Sequence, residues 1–245
     1  MAKFPLPVPV LEFPHWRVNY RPGAYVPELI PSLADCFSLV EQTRLHLRGW
    51  DYPHLSQRSN ERTQGKSWIA SWSDYEGHYE FWRLYQSGQF LYLGSIREVT
   101  EASWKAEIKR VSRAHLSHVE GIDWENIPGF ISIINFIYTT TEIFEFAARL
   151  CQKGIYRGNV TISIELSGIK GLALTTERNR LWYSYYAATV DELTHEWQAR
   201  SDALVASSPE IAIKAVSWFF ERFGWMDQPL GLFKKDQENL LKGRP

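Results

Sequence analysis

The longest apolar run in the chain extends from Ile127 to Cys151. Pro128 suits the first position of a helix, where its missing N–H would be unpaired anyway. From Gly129 no breaker intervenes until Gly154, a residue type favoured just past a helix end. Apolar residues fill almost every position from Phe130 to Ile137, so this half is expected to be buried all round. Thr139, Thr140, Thr141 and Glu142 then interrupt the run, leaving it short of the roughly 20 apolar residues of a membrane span. Glu142, Glu145 and Arg149 follow at spacings of three and four and share one helix face.

Before this run, His15 to Tyr20 alternates as a strand. Ser32 reads as an N-cap with Asp35 in the capping-box position. Leu33, Cys36, Phe37, Val40 and Leu47 continue at helical spacing, and Gly49 is the expected end of that helix. Ser56 to Lys66 reads as a polar loop. Three alternating segments follow within Trp68 to Glu98, separated by DYEG and SGQ, and predict an antiparallel meander. In HYEFWRLYQ, His78, Glu80, Trp82 and Leu84 share one face, and Tyr79, Phe81, Arg83 and Tyr85 the other. Thr100 to Asn126 is polar and fits a short helix or an exposed strand, with Trp124 anchoring its end.

After the central run, Asn159 to Leu166, Leu172 to Thr176 and Leu181 to Tyr186 read as a second set of strands. Thr189 and Glu192 form a capping-box signature that predicts a helix through Trp197. Ser208 and Pro209 open the last strong helix, which Gly224 stops. The expected fold is α+β: antiparallel meanders packed against a long central apolar helix and further helices, in a single domain. Residues 1–14 form an extended proline-punctuated arm, 15–226 the domain, and 227–245 a charged tail that reads as a frayed helix.

Composition narrows the function classes. Lys and Arg number 27 against 28 Asp and Glu, which argues against a general nucleic-acid binder while leaving a local basic patch open. Cys36 and Cys151 lie in apolar helical contexts and read as core residues of a reducing compartment. No charged n-region precedes an apolar h-region at the start of the chain. Eleven tryptophans predict an aromatic-rich core with some rings left for a stacking pocket or an interface.

Candidate chemistry is sparse. No phosphate-binding glycine loop, dinucleotide fingerprint, CxxC, HExxH or GxSxG elbow is present. His115 and His118 have metal-ligand spacing but no acidic or cysteine partner nearby, so they read as an exposed pair. No catalytic residue, metal site or cofactor is expected. The candidate binding residues are Arg48, Asp51, Tyr52 and His54, in the segment RGWDYPH, together with Arg83, Glu142 and Glu145. Arg83 sits among aromatics, either stacked or anion-binding, and is expected within salt-bridge reach of Glu142 or Glu145.

RGWDYPH, EFWRLYQSGQF, TEIFEFAARL and FFERFGW occur in that order between about Trp16 and Trp225. In this order the chain resembles a widespread group of uncharacterised bacterial proteins. The resemblance implies a bacterial, cytoplasmic origin and carries no activity. The expected function is a non-catalytic binding or accessory module, such as a sensor or partner subunit of a bacterial multi-protein system. Its partner would be another protein or a second copy of the chain, with a small-molecule ligand also compatible and no membrane involved. The competing readings are a hydrolase of phosphodiesters, with Glu142, Glu145, His54 and Arg83 in one cleft, and a nucleic-acid-binding protein.

Overall fold

The computed structural model describes residues 6–124, 126–176, 180, 182 and 184–244. Its framework is a seven-stranded antiparallel sheet with strand order β2-β3-β4-β5-β1-β7-β9. The strands are β1 (His15–Pro22), β2 (Arg62–Gln64), β3 (Trp68–Tyr75), β4 (His78–Tyr85), β5 (Phe90–Ser95), β7 (Asn159–Ser167) and β9 (Glu192–Arg200). β6 (Phe130–Ser132) and β8 (Ala173–Thr175) form a separate parallel pair. The meander β3-β4-β5 is as the alternation predicts. The expected second meander is corrected. β7 joins the first sheet through β1, β8 pairs with β6 rather than β7, and β9 supplies the next strand.

Strand alternation gives the sheet two unlike faces. Trp16, Val18 and Tyr20 of β1, Trp82 and Leu84 of β4, Phe90 and Tyr92 of β5, and Val160, Ile162 and Ile164 of β7 all join the main core. Ala70, Phe81 and Leu93 lie on the opposite face in a smaller cluster with Val8 and Val10. The proline-punctuated arm therefore packs on the body of the protein, covering β3, β4 and β5 from outside.

The main core closes beneath α4 (Ile133–Gln152). The helix begins later than its apolar run. Pro128 is not at its first turn, because Phe130–Ser132 is drawn into the parallel pair, and Ser132 caps the helix by accepting from Asn135 N–H. α5 (Ser201–Arg222) packs along α4 and buries Leu204, Ala212, Ala215, Val216, Phe219 and Phe220. By length and composition α5 could cross a membrane, yet its apolar side faces this core. Its backbone breaks at Ser207, so Ser208 and Pro209 restart a helix already under way. Gly224, at φ 93°, ends it.

Four further expectations are corrected. α1 (Leu33–Thr43) has the predicted Ser32 cap, but it ends before Leu45, which pairs with Tyr52 across a short hairpin. Within the supposed polar loop lies the edge strand β2. Thr189 and Glu192 do not start a helix: nine residues of alternating exposure from Glu192 make β9, pairing having overridden a local capping signal. In the segment expected as a strand from Leu181, Trp182 and Ser184–Tyr186 are not extended ladder, and Leu181 and Tyr183 lie outside the described residues. The first five residues of the arm lie outside them too.

The polar stretch after β5 contains α2 (Arg97–Thr100) and α3 (Ala102–His115), and Trp124 packs against Phe130 at a centroid distance of 6.4 Å. The charged tail is a docked helix, α6 (Leu230–Leu241), with Phe233, Asp236, Gln237 and Leu240 buried.

Ile134 is 3% exposed in the first turn of α4. Ile134→Asp buries a carboxylate with no partner and should cost about 3–5 kcal/mol. Denaturant unfolding measures this; an unchanged midpoint would show that the core does not depend on α4.

Candidate functional site

Where α4 passes over β4 and β5, the core ceases to be apolar. Glu142, in the middle of α4, is 1% exposed. Its carboxylate receives Arg48 Nε at 3.1 Å and Arg48 Nη2 at 2.6 Å, and Nη2 also donates to Thr139 Oγ1 at 2.9 Å. Burial works against the Arg48 charge, but the Glu142 carboxylate outweighs it and holds the guanidinium above its ordinary value. Burial likewise raises the Glu142 carboxyl, and Arg48 pulls it back without cancelling that effect.

The hairpin after α1 delivers Arg48. Leu45 and Tyr52 close it by two backbone hydrogen bonds of 2.7 and 3.0 Å. Tyr52, which precedes a cis proline, reaches the core and bonds Tyr20 through the two hydroxyls at 2.7 Å. The Tyr20 hydroxyl also bonds the Ile143 carbonyl at 3.2 Å. Sheet, hairpin and α4 are thus tied together beside the ion pair.

A second buried carboxylate, Glu80, projects from β4. It accepts Trp50 Nε1–H at 2.8 Å and the His54 backbone N–H at 2.7 Å. These two donors favour the ionised form, but burial dominates and pushes the carboxyl up to about 7. Glu98 of α2, also buried, accepts from Asn135 Nδ2 at 2.9 Å and is raised by burial. His78 is buried on the same strand face as Glu80; burial, then Arg97 and Arg48, lower its imidazole to about 3, so it is neutral. Its Nδ1 is enclosed and has no hydrogen-bond partner.

These groups surround a cleft. An inner cavity of about 50 Å³ is lined by Tyr52, Tyr92, Glu98 and Thr139 among others. A contiguous outer recess of about 380 Å³ adds Tyr75, Trp104 and Tyr138. Arg48, Trp50, His78, Arg97 and Asn135 line both. Trp50 is central to the wall: its ring stacks on His54 at 4.1 Å and meets His78 at 4.6 Å. Arg97 is held by Glu101 through Nε and Nη2, and its guanidinium carbon lies 5.5 Å from the Trp104 ring.

Of the residues expected at a site, Arg48, Asp51 and Tyr52 line the cleft, Glu142 binds Arg48, and His54 backs it through Trp50. Asp51 is also engaged by Arg44 at 3.1 Å and by His46 at 2.5 Å. Arg83 and Glu145 are not brought there. Arg83 lies on the outer sheet face, 4.2 Å above the Trp68 ring, because it is out of phase with Glu80 along β4. Its expected bridge to Glu142 or Glu145 is corrected: Arg48 takes that place. Glu145 turns toward α5 and accepts from Ser208 Oγ at 2.6 Å. Sequence reasoning missed Glu80, His78, Arg97, Glu98 and Asn135. The available signal was His78 and Glu80 at alternate positions with Trp82 and Leu84, two polar groups on a core face.

Among the described residues no group of three or more His, Cys, Asp or Glu side chains is placed to hold a metal ion. Both cysteines are buried and free, their thiols pushed by burial up to about 11.

Arg48→Met leaves Glu142 buried without its counter-charge and should destabilise the protein by about 3–5 kcal/mol. Arg48→Met with Glu142→Met should recover most of that loss. Urea unfolding of both variants tests the pair; equal destabilisation would contradict it.

Glu80 predicts a pH dependence of defined sign. Its folded value of about 7 lies above the ordinary 4.5, so the folded state holds the proton more tightly. The associated stability is fully present below pH 4.5 and is lost as pH rises through 7. Carbon-detected NMR should show the Glu80 carboxyl titrating near neutrality. A midpoint at its ordinary value would refute this.

No protein-family model, no curated protein and no solved structure matches this chain.

Proposed function

We propose that this protein is a non-catalytic binding module whose cleft between β4, α2, α4 and the Arg48–His54 hairpin receives a small planar molecule bearing an oxyanion. The observation that carries this reading is the polar wall of the cleft, where Arg48, Arg97, His78 and Asn135 line both its inner and its outer part. Two arginines line the same cleft with Nε and Nη2 taken by carboxylates, leaving Nη1 for a bound oxyanion. Exposed rings at Tyr75 and Trp104 offer flat faces at the mouth.

The non-catalytic part of the reading is supported by how the reactive groups are engaged. Glu142 is clamped by Arg48, Glu80 is held by two donors, and the imidazole of His54 is stacked on Trp50. A nucleophile or general base needs freedom to meet a substrate. A sensor or accessory role in a bacterial, cytoplasmic multi-protein system belongs to the same proposal, supported by the two free cysteines and by the sequence resemblance.

Titration calorimetry with adenosine monophosphate, benzoate, indole-3-carboxylate and inorganic phosphate tests the ligand class. At least one ring-bearing anion should bind, more tightly than phosphate. Arg97→Gln and Trp104→Ala should each weaken it about tenfold, the scale of one charged hydrogen bond or one stacked ring. No binding heat with any of the four overturns the ligand class. Hydrolysis of bis(4-nitrophenyl) phosphate that disappears in Glu142→Gln would instead favour the phosphodiester hydrolase.

A further inference from the structure

The two edges of the sheet are unequal. At one end β2 has three residues; at the other β9 has nine, Glu192–Arg200, and among the described residues it pairs only with β7. A long unpaired edge presents a row of backbone donors and acceptors to solvent.

Which groups point outward follows from the ladder. Asn159 pairs with Arg200 and Ser167 with Glu192, and the next residue, Ser201, donates its N–H to Gly158 O at 2.7 Å. On the other side of β7, Asn159 O accepts from Gly23 N–H at 2.7 Å, so Asn159 turns its backbone toward β1. Backbone groups alternate sides along an antiparallel strand. Leu193, His195, Trp197 and Ala199 therefore bond β7, while Glu192, Thr194, Glu196, Gln198 and Arg200 direct N–H and C=O into solvent. The side chains of these five are also the exposed ones.

We propose that this edge is the seam of a homodimer, in which two copies of β9 pair antiparallel about a two-fold axis at Glu196. The argument for a second copy is self-complementary charge. With Glu196 on the axis, Glu192 lies opposite Arg200 of the other copy at both ends of the seam. Thr194 lies opposite Gln198, and His195 opposite Trp197. The two Glu196 side chains meet at the centre, where like charges would repel. Each already has its own cation, since Arg21 of β1 forms a salt bridge with Glu196. Among the described residues Arg200 is bound only to Asp202, in an exposed pair at 3.0 Å that can yield to Glu192 of the other copy. His195 and Trp197 pack within their own copy, His195 stacking on Trp218 at 4.3 Å and meeting Trp197 at 4.5 Å, so the seam leaves that packing in place. Pairing makes a continuous sheet across the dimer and satisfies the open edge of both copies.

Sedimentation velocity of the full chain over a concentration series tests the seam. The expected species has twice the 28.6 kDa mass of the chain. Thr194→Pro removes an outward N–H at a position where an edge strand tolerates proline, and should give a monomer with unchanged circular dichroism. Glu192→Arg and Arg200→Glu should each weaken the dimer by about tenfold, and the double swap should restore it. The swaps also decide the matter if Thr194→Pro fails to fold. A wild-type chain that remains monomeric throughout overturns the proposal. So does a dimer indifferent to the swaps, which would place the interface elsewhere.

Discussion

Glu142 is a carboxylate in the middle of the most buried helix of the protein, and the neighbourhood is arranged around its neutralisation. An unpaired charge at that depth would cost several kcal/mol. Arg48 supplies the counter-charge from a hairpin far away in sequence, which must be held at a fixed height above the sheet. The Leu45–Tyr52 closure and the Tyr20–Tyr52 hydroxyl contact provide that support. The hairpin in turn carries Trp50 and His54 onto Glu80. One ion pair thereby fixes the position of an aromatic wall and a second buried carboxylate.

The sheet sets the other constraint. Because successive side chains point to opposite faces, β4 sends Glu80 and Trp82 toward α4 and Phe81 and Arg83 toward the N-terminal arm. The same alternation that puts Glu80 beneath the cleft removes Arg83 from it. The arm covers the outer face only over β3, β4 and β5. Toward β9 that face is polar and open, with Arg21 and Glu196 paired across it.

A cluster of this kind works against stability locally. Burial raises Glu80, Glu98 and Glu142 and depresses His78, so each prefers its neutral form or a partner. Well-packed apolar side chains of the same volume would often be as stable or more so. Perturbed groups gathered at the wall of a cleft are a common mark of a functional site. Here the buried carboxylates are all engaged by donors, while Arg48 and Arg97 beside them line an open recess. That asymmetry favours recognition of a ligand over chemistry on one.

What could be read in the sequence is what depends on local order. Alternation located β1, β3, β4, β5 and β7, and Ser32 announced the start of α1. The α+β class followed, as did the burial of α4 and of both cysteines. RGWDYPH was legible as a dense polar and aromatic segment, and Arg48, Asp51, Tyr52 and Glu142 do meet. Where local signals competed with pairing, tertiary structure decided. Phe130–Ser132 became a strand because β8 offered a ladder, and the capping signature at Thr189 and Glu192 yielded to pairing with β7. The partner of Glu142 could not be chosen from sequence, since any arginine at the right depth would serve; hairpin geometry selected Arg48 and strand phase excluded Arg83. Glu80 and His78 were legible as polar groups on one face of β4 with Trp82 and Leu84, but not as part of a site. Only the packing of Trp50 against them made them buried walls of a cleft, because burial is a property of what lies opposite and not of the residue itself.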